Sequence, residues 1–106
     1  MRSGFYQTHL NDADGNPAGG LSVGRGFTVN WQNGPLMLGL ERVTPNGAFV
    51  EDVIDAAIGR IEYYQSSKFN CGHNERALLH LKAALAELDA RTADREARSV
   101  EGTHSV

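Results

Sequence analysis

Arg91, Arg95 and Arg98 lie four and three residues apart in the stretch LDARTADREARSVEGTHSV, residues 88–106. On a helix that spacing sets all three on roughly one side. Clustered guanidiniums bind anions, and arginine suits phosphate because its planar fork donates two parallel hydrogen bonds. A plainer reading stands beside this one. Glu87 precedes Arg91 by four residues and Asp94 precedes Arg98 by four, the favourable order for ion pairs on a helix surface. Arginine is also stabilised near a helix C-terminus by the dipole. Arg95 separates the two readings. Leu78, Leu81, Leu85 and Leu88 step by 3, 4 and 3, an apolar seam, and the same stepping continues to Thr92, Arg95 and Ser99. A charge on that seam needs a mate.

Tyr63 and Tyr64 form a second candidate group, with Asn74 a short turn further on. Their rings suit stacking on a base; equally, they suit the edge of a core with polar tips in water. Cys71, His73 and His80 do not have the spacing of a zinc site, and Cys71 with His73 lacks a third group to orient a nucleophile. GLSVGRGF is rich in glycine but leads into no helix, so it fails as a phosphate loop. His104 sits in a tail with nothing to orient it. With no acid–base pair and no metal cluster, the residues point to binding rather than catalysis, and to no cofactor.

These groups need elements to hold them. The chain of 106 residues is enough for a single domain. Its composition, 41% apolar and 22% charged, is that of a folded chain rather than a disordered one. A net charge of −3 argues against a general binder of long nucleic acid, so anion recognition must be local. One cysteine rules out an internal disulfide and favours a reducing compartment. No apolar run approaches the roughly 18 residues of a membrane span, and the N-terminus lacks the apolar stretch of a leader. A soluble intracellular protein is expected.

Most of the glycines fall at or before Gly39, after which Ala, Leu and Glu dominate. Residues 1–45 therefore read as β and turn, residues 46–106 as two helices and a tail. In GFTVNWQNG, Phe27, Val29 and Trp31 alternate with polar neighbours, a strand signature; NGP at 33–35 ends it. GFYQTH reads as a short strand and DADGNPAGG as a loop. The first helix is expected from about Asn46, as its cap, to Ser66–Lys68. Gly59 within it suggests close packing. The second helix is expected from Asn70 or Asn74 to about Arg98, folding back on the first as an antiparallel hairpin. That fold would return the arginines to the N-terminal end of helix one, where backbone N–H groups near Asn46 and Gly47 also favour anions. The fold class is α+β: a small N-terminal antiparallel sheet, then a long helical hairpin.

NGAFVEDVIDAAIGRIEYYQSSKFNC, followed by NERALLHLKAALAELDARTADREARSVEGTHSV, resembles the hairpin of the Thoeris anti-defence proteins of the first type. That phage family shares its hairpin with the type-two anti-CBASS proteins. GFTVNWQNGP is similar to the first of these as well, so the likeness spans about residues 25–106. Its most specific parts are the ARTADREAR–VEGTH ending and the WQNGP turn; residues 1–24 add nothing to it. The resemblance implies a sponge, which holds a cyclic nucleotide signal intact in the host bacterial cytoplasm so that the defence effector stays off. For the first type the signal is a glyco-cyclic ADP-ribose made from NAD by a TIR-domain enzyme. Some relatives also bind cyclic di- or trinucleotides at separate sites. The family further implies homodimers, or hexamers built as trimers of dimers, with pockets between subunits.

Carried over by position, the ligand residues would be an aromatic at Tyr63 or Tyr64, with Asn74, Arg91, Arg95 and, from the upstream loop, Arg42. Arg98 joins them through its place beside Arg95. Tyrosine stands where some relatives have phenylalanine, and Ser99 where many have glycine. Two rival functions keep other partners: a sponge for the cyclic di- or trinucleotides of CBASS, and a protein–protein inhibitor that uses the hairpin as its binding face.

Overall fold

The computed structural model describes residues 2–106. The chain forms two compact units, one running to Phe49 and including Gly102–Val106, the other Val50–Glu101.

The first unit carries a three-stranded antiparallel sheet in the order β1 (Tyr6–Asn11), β2 (Pro17–Gly24), β3 (Phe27–Asn33). The expected strand at GFTVNWQNG is β3, and its alternation survives: Val29 is buried and Trp31 half-buried on one face. DADGNPAGG is a loop only at its start. Pro17 to Gly20 already belong to β2, with Gly20 opposite His9 on one side and Trp31 on the other. The sequence hid this strand because glycine and proline read as turn, whereas here glycine is needed for close approach. A Cβ on Gly20, at φ +142°, would collide with the Thr8 carbonyl oxygen. Inside the sheet, Ser22 is 2% exposed. The Trp31 indole N–H donates to its Oγ at 2.8 Å, and that hydroxyl donates on to Gln7 Oε1 at 2.7 Å, so no polar atom is stranded.

A two-stranded hairpin follows, β4 (Met37–Leu38) with β5 (Glu41–Arg42). The chain then returns alongside β3, where Ala48 bridges Trp31 in parallel. Asn46 does not cap a helix. Its side chain accepts from Asn33 N and donates to Asn33 O, both at 2.8 Å. Its backbone N–H and that of Gly47 donate to Gln32 Oε1 at 2.9 and 3.2 Å. The amides expected to favour an anion at a helix start are thus occupied by the sheet. Gly47 is fixed here by space, since a Cβ would lie 2.6 Å from the Trp31 carbonyl.

The second unit is the antiparallel hairpin of α1 (Val50–Gln65) and α2 (Gly72–Ala97). Val53, Ile54, Ala57, Ile58 and Ile61 recur at helical spacing and form the less exposed side of α1, with Ile58 buried. Glu51 and Asp52 occupy the first turn, where the dipole favours them. The helix stops because the hydroxyls of Ser66 and Ser67 donate to the carbonyls of Tyr63 and Tyr64 at 2.7 and 2.6 Å, competing with further helical bonds. Gln65 then clamps the turn, its amide bonding both Cys71 N and Cys71 O. Extended Cys71 therefore precedes α2 at the cap position with no side-chain bond of its own. The expected caps serve elsewhere: Asn70 donates to Ser67 O at 2.9 Å and Asn74 to Phe69 O at 3.4 Å. Midway, Lys82 pairs with Glu62 at 3.5 Å. Gly59, expected at a tight contact, is exposed, with nothing within 4 Å of where its Cβ would be.

Candidate functional site

The less exposed side of α2 runs through Asn74, Leu78, Leu81, Leu85 and Leu88, then on through Thr92 to Arg95. The seam does continue into the arginine cluster, and there the three arginines part company. Arg91 and Arg98 are exposed, whereas Arg95 is 7% exposed. Arg95, the one on the seam, is the buried member of the three.

The cause is the way the helix ends. Arg98 caps α2. Ser99 takes a left-handed backbone at φ 58° and donates to Glu96 O at 3.0 Å, while Val100 N donates to Arg95 O at 3.0 Å. This is a Schellman turn, with serine at the position that usually needs glycine. It reverses the chain over the last helical turn and brings Val100 and Glu101 back to Arg95. The guanidinium takes both: Nε donates to Glu101 Oε2 at 3.1 Å and Nη2 to the Val100 carbonyl at 2.9 Å. The mate that Arg95 required is thus an acid six residues on in its own chain. Arg98 pairs with Asp94 at 3.0 Å, as its spacing foretold. The matching pair of Glu87 with Arg91 does not form; among the described residues Arg91 has no carboxylate within ion-pair distance. Of the three, Arg91 is the guanidinium presented to solvent without such a tie.

At the other end of the hairpin, Tyr63 is 58% and Tyr64 37% exposed. Their ring centroids lie 5.9 Å apart at an interplanar angle of 54°. Arg60, which sequence reasoning passed over, sits against both. Its guanidinium carbon is 4.9 Å from each ring centroid, and its Nε donates to the Tyr64 hydroxyl at 3.2 Å. That hydrogen bond pushes the Arg60 pKa further above its ordinary value. The available signal was spacing, since residues three and four apart on a helix are neighbours.

Asn74 stands half-buried at the start of α2. It is seventeen residues, or about 25 Å of helix, from Arg91, so one hairpin does not bring the tyrosine end and the arginine end together. Arg42 belongs to the first unit, on β5, beside Gly102; a Cβ there would sit 3.6 Å from Arg42 Nη1. A shallow depression lined by Glu75, Arg76, Leu78, Leu79 and Lys82 lies on α2, and none of the candidate ligand residues lines it. Among the described residues no group of three or more His, Cys, Asp and Glu side chains is placed to hold a metal ion. No helix among them is long and apolar enough to cross a membrane.

No protein-family model matches the chain. Over 82 residues, 77% of its length, it is 46% identical to Thoeris anti-defense 1 of Bacillus phage SBSphiJ7. The chain spans 55% of that relative's own length. Identity at this level over most of the present chain reflects common descent, and the chain belongs to the Thoeris anti-defence proteins of the first type.

Proposed function

We propose that the chain is a phage protein that blocks Thoeris immunity as a sponge, binding a cyclic ADP-ribose signal in the host bacterial cytoplasm and holding it uncleaved. The observation that carries this reading is the 46% identity to a Thoeris anti-defense protein; the exposed guanidinium of Arg91 and the exposed tyrosine pair supply matching chemistry. In this reading Arg91 binds the pyrophosphate, Tyr63 or Tyr64 stacks on adenine, and Asn74 hydrogen-bonds the ligand. Arg95 and Arg98 border the same ligand. A pocket that uses both ends of the hairpin needs a second, antiparallel subunit, so the working form is a homodimer, or a hexamer of three dimers. The protein is not an enzyme in this account, because its task is stoichiometric.

Magnitudes constrain the arrangement. A charged hydrogen bond contributes about 1.5–3 kcal/mol and a base–aromatic stack about 1–3 kcal/mol. One such bond from Arg91, one from Asn74 and one stack reach at most about 9 kcal/mol, whereas nanomolar capture requires about 12. A second bond from the Arg91 fork, or further cations, would supply the difference. Arg95 can contribute only by exchanging Glu101 for the ligand's phosphate, one anion for another, which yields little net gain.

The test is calorimetric titration of the purified protein with glyco-cyclic ADP-ribose, followed by denaturation of the complex and recovery of the ligand. Nanomolar binding near one ligand per subunit, with the ligand intact and binding lost in Arg91→Ala, is the expected result. Tight binding of a cyclic trinucleotide instead would transfer the reading to CBASS signals. Silence with both, together with capture of a defence enzyme without any small molecule, would replace it with protein–protein inhibition.

A further inference from the structure

The tyrosine end of the hairpin contains a cation that the sequence did not single out. The Arg60 guanidinium lies 4.9 Å from the ring centroids of both Tyr63 and Tyr64, and Nε donates to the Tyr64 hydroxyl at 3.2 Å. A long side chain on an exposed helix surface normally samples many rotamers, and that freedom is lost on binding. Here two aromatic faces and one hydrogen bond hold the group in one place. The bond uses Nε only. The two terminal amino groups of Arg60 donate no hydrogen bond to any described residue, and no carboxylate of the described residues pairs with it. What remains is the Nη1/Nη2 edge of the fork, the edge that meets a phosphate with two parallel hydrogen bonds.

We propose that Arg60 is a phosphate-binding residue: Tyr63 and Tyr64 clamp its guanidinium so that the terminal amino groups face the phosphate of a nucleotide whose base stacks on the tyrosine pair. Tyr63, at 58% exposure, keeps ring surface for that base. The proposal rests on the nucleotide-sponge reading and adds to it a second cationic centre, on α1, remote from Arg91. The Tyr64 hydroxyl becomes a positioning group, acting through Arg60 and not on the ligand.

Two probes test it: inorganic pyrophosphate, and glyco-cyclic ADP-ribose. The Nε–Hε resonance of Arg60, assigned by its loss in Arg60→Lys, is followed by NMR in pyrophosphate titrations, and calorimetry measures the cyclic ligand. Arg60→Lys keeps charge and stem, so it folds as the parent does, but it loses the fork. The expected result is a saturable shift of the Arg60 resonance and about a tenfold loss of cyclic-ligand affinity in Arg60→Lys. Tyr64→Phe, which deletes only the hydroxyl, is expected to give a smaller loss of about threefold. Tight binding of the cyclic ligand that is equal in wild type and Arg60→Lys, with the resonance unmoved, overturns the proposal and leaves the sponge reading standing. Pyrophosphate moving the resonance in a protein that ignores the cyclic ligand keeps the phosphate site and removes the sponge. No response to either ligand overturns both.

Discussion

Arg91 and Arg95 are four residues apart on one helix, yet burial gives them different work. Arg91 is exposed and its removal should leave the fold alone, changing stability by no more than about 0.5 kcal/mol while abolishing ligand capture. Arg95 closes the chain reversal after α2 through Glu101 and the Val100 carbonyl. Arg95→Ala would leave a half-buried carboxylate without its cation and a carbonyl without its donor, which should cost about 1–3 kcal/mol. Urea unfolding of the two variants separates these outcomes, and equal midpoints for Arg95→Ala and wild type would refute the structural role. A binding defect in Arg95→Ala alone is therefore weak evidence that Arg95 touches ligand, whereas the same defect in Arg91→Ala is strong evidence. Sequence spacing showed that Arg95 needed a partner but not which one. Glu101 lies beyond the helix, and only the left-handed turn at Ser99 brings it back.

At the scale of elements, two backbone positions carry avoidable strain or disorder. Gly59 is exposed inside α1 with open space around it, so Gly59→Ala should stabilise the protein by about 1 kcal/mol. A thermal midpoint that fell instead would show that the position is in close contact after all. Ser99 holds φ 58°, a conformation glycine adopts without steric penalty, and Ser99→Gly should stabilise by about 1 kcal/mol, read in the same melt. The β1–β2 turn supplies a pH-dependent counterpart. Asp12 accepts from Asn16 N and Asp14 N through Oδ1 and from the Asn16 amide through Oδ2. The backbone and side-chain bonds from Asn16 hold its carboxyl below the ordinary aspartate value. A depressed carboxyl stabilises the fold above its unfolded value and loses that contribution as pH falls through the lower folded value, here below roughly pH 4. Carbon-detected NMR titration of the Asp12 carboxyl is the direct check, and an ordinary midpoint would contradict the turn geometry.

For the whole molecule, the informative quantity is how little apolar surface is fully covered. Among the described residues only Val29, Leu36 and Ile58 are buried apolar side chains, while Tyr63, Phe69 and Leu79 are more than half exposed. Small folds with so few buried groups are marginal as isolated chains. This agrees with the proposed dimer or hexamer, and subunit association would bury more. The expected observation is a sedimentation mass of two or six chains at micromolar concentration, with a melting temperature that rises with protein concentration. A monomer at all concentrations would leave the tyrosine and arginine ends of the hairpin too far apart to share one ligand.

The sequence by itself determined the α+β class, the β3 alternation, the hairpin and the seam from Leu78 to Arg95, because burial imposes periods of two and 3.6 residues that composition makes visible. It also held the Asp94–Arg98 pair, a neighbour relation within one helix. Tertiary structure decided what depends on contacts without a period. Gly20 enters a strand because only glycine fits beside Thr8. Asn46 serves the sheet because Asn33 and Gln32 lie across from it. Arg95 is buried because the chain doubles back. Local spacing fixes which side of an element a residue occupies; what meets it there is set by the rest of the chain.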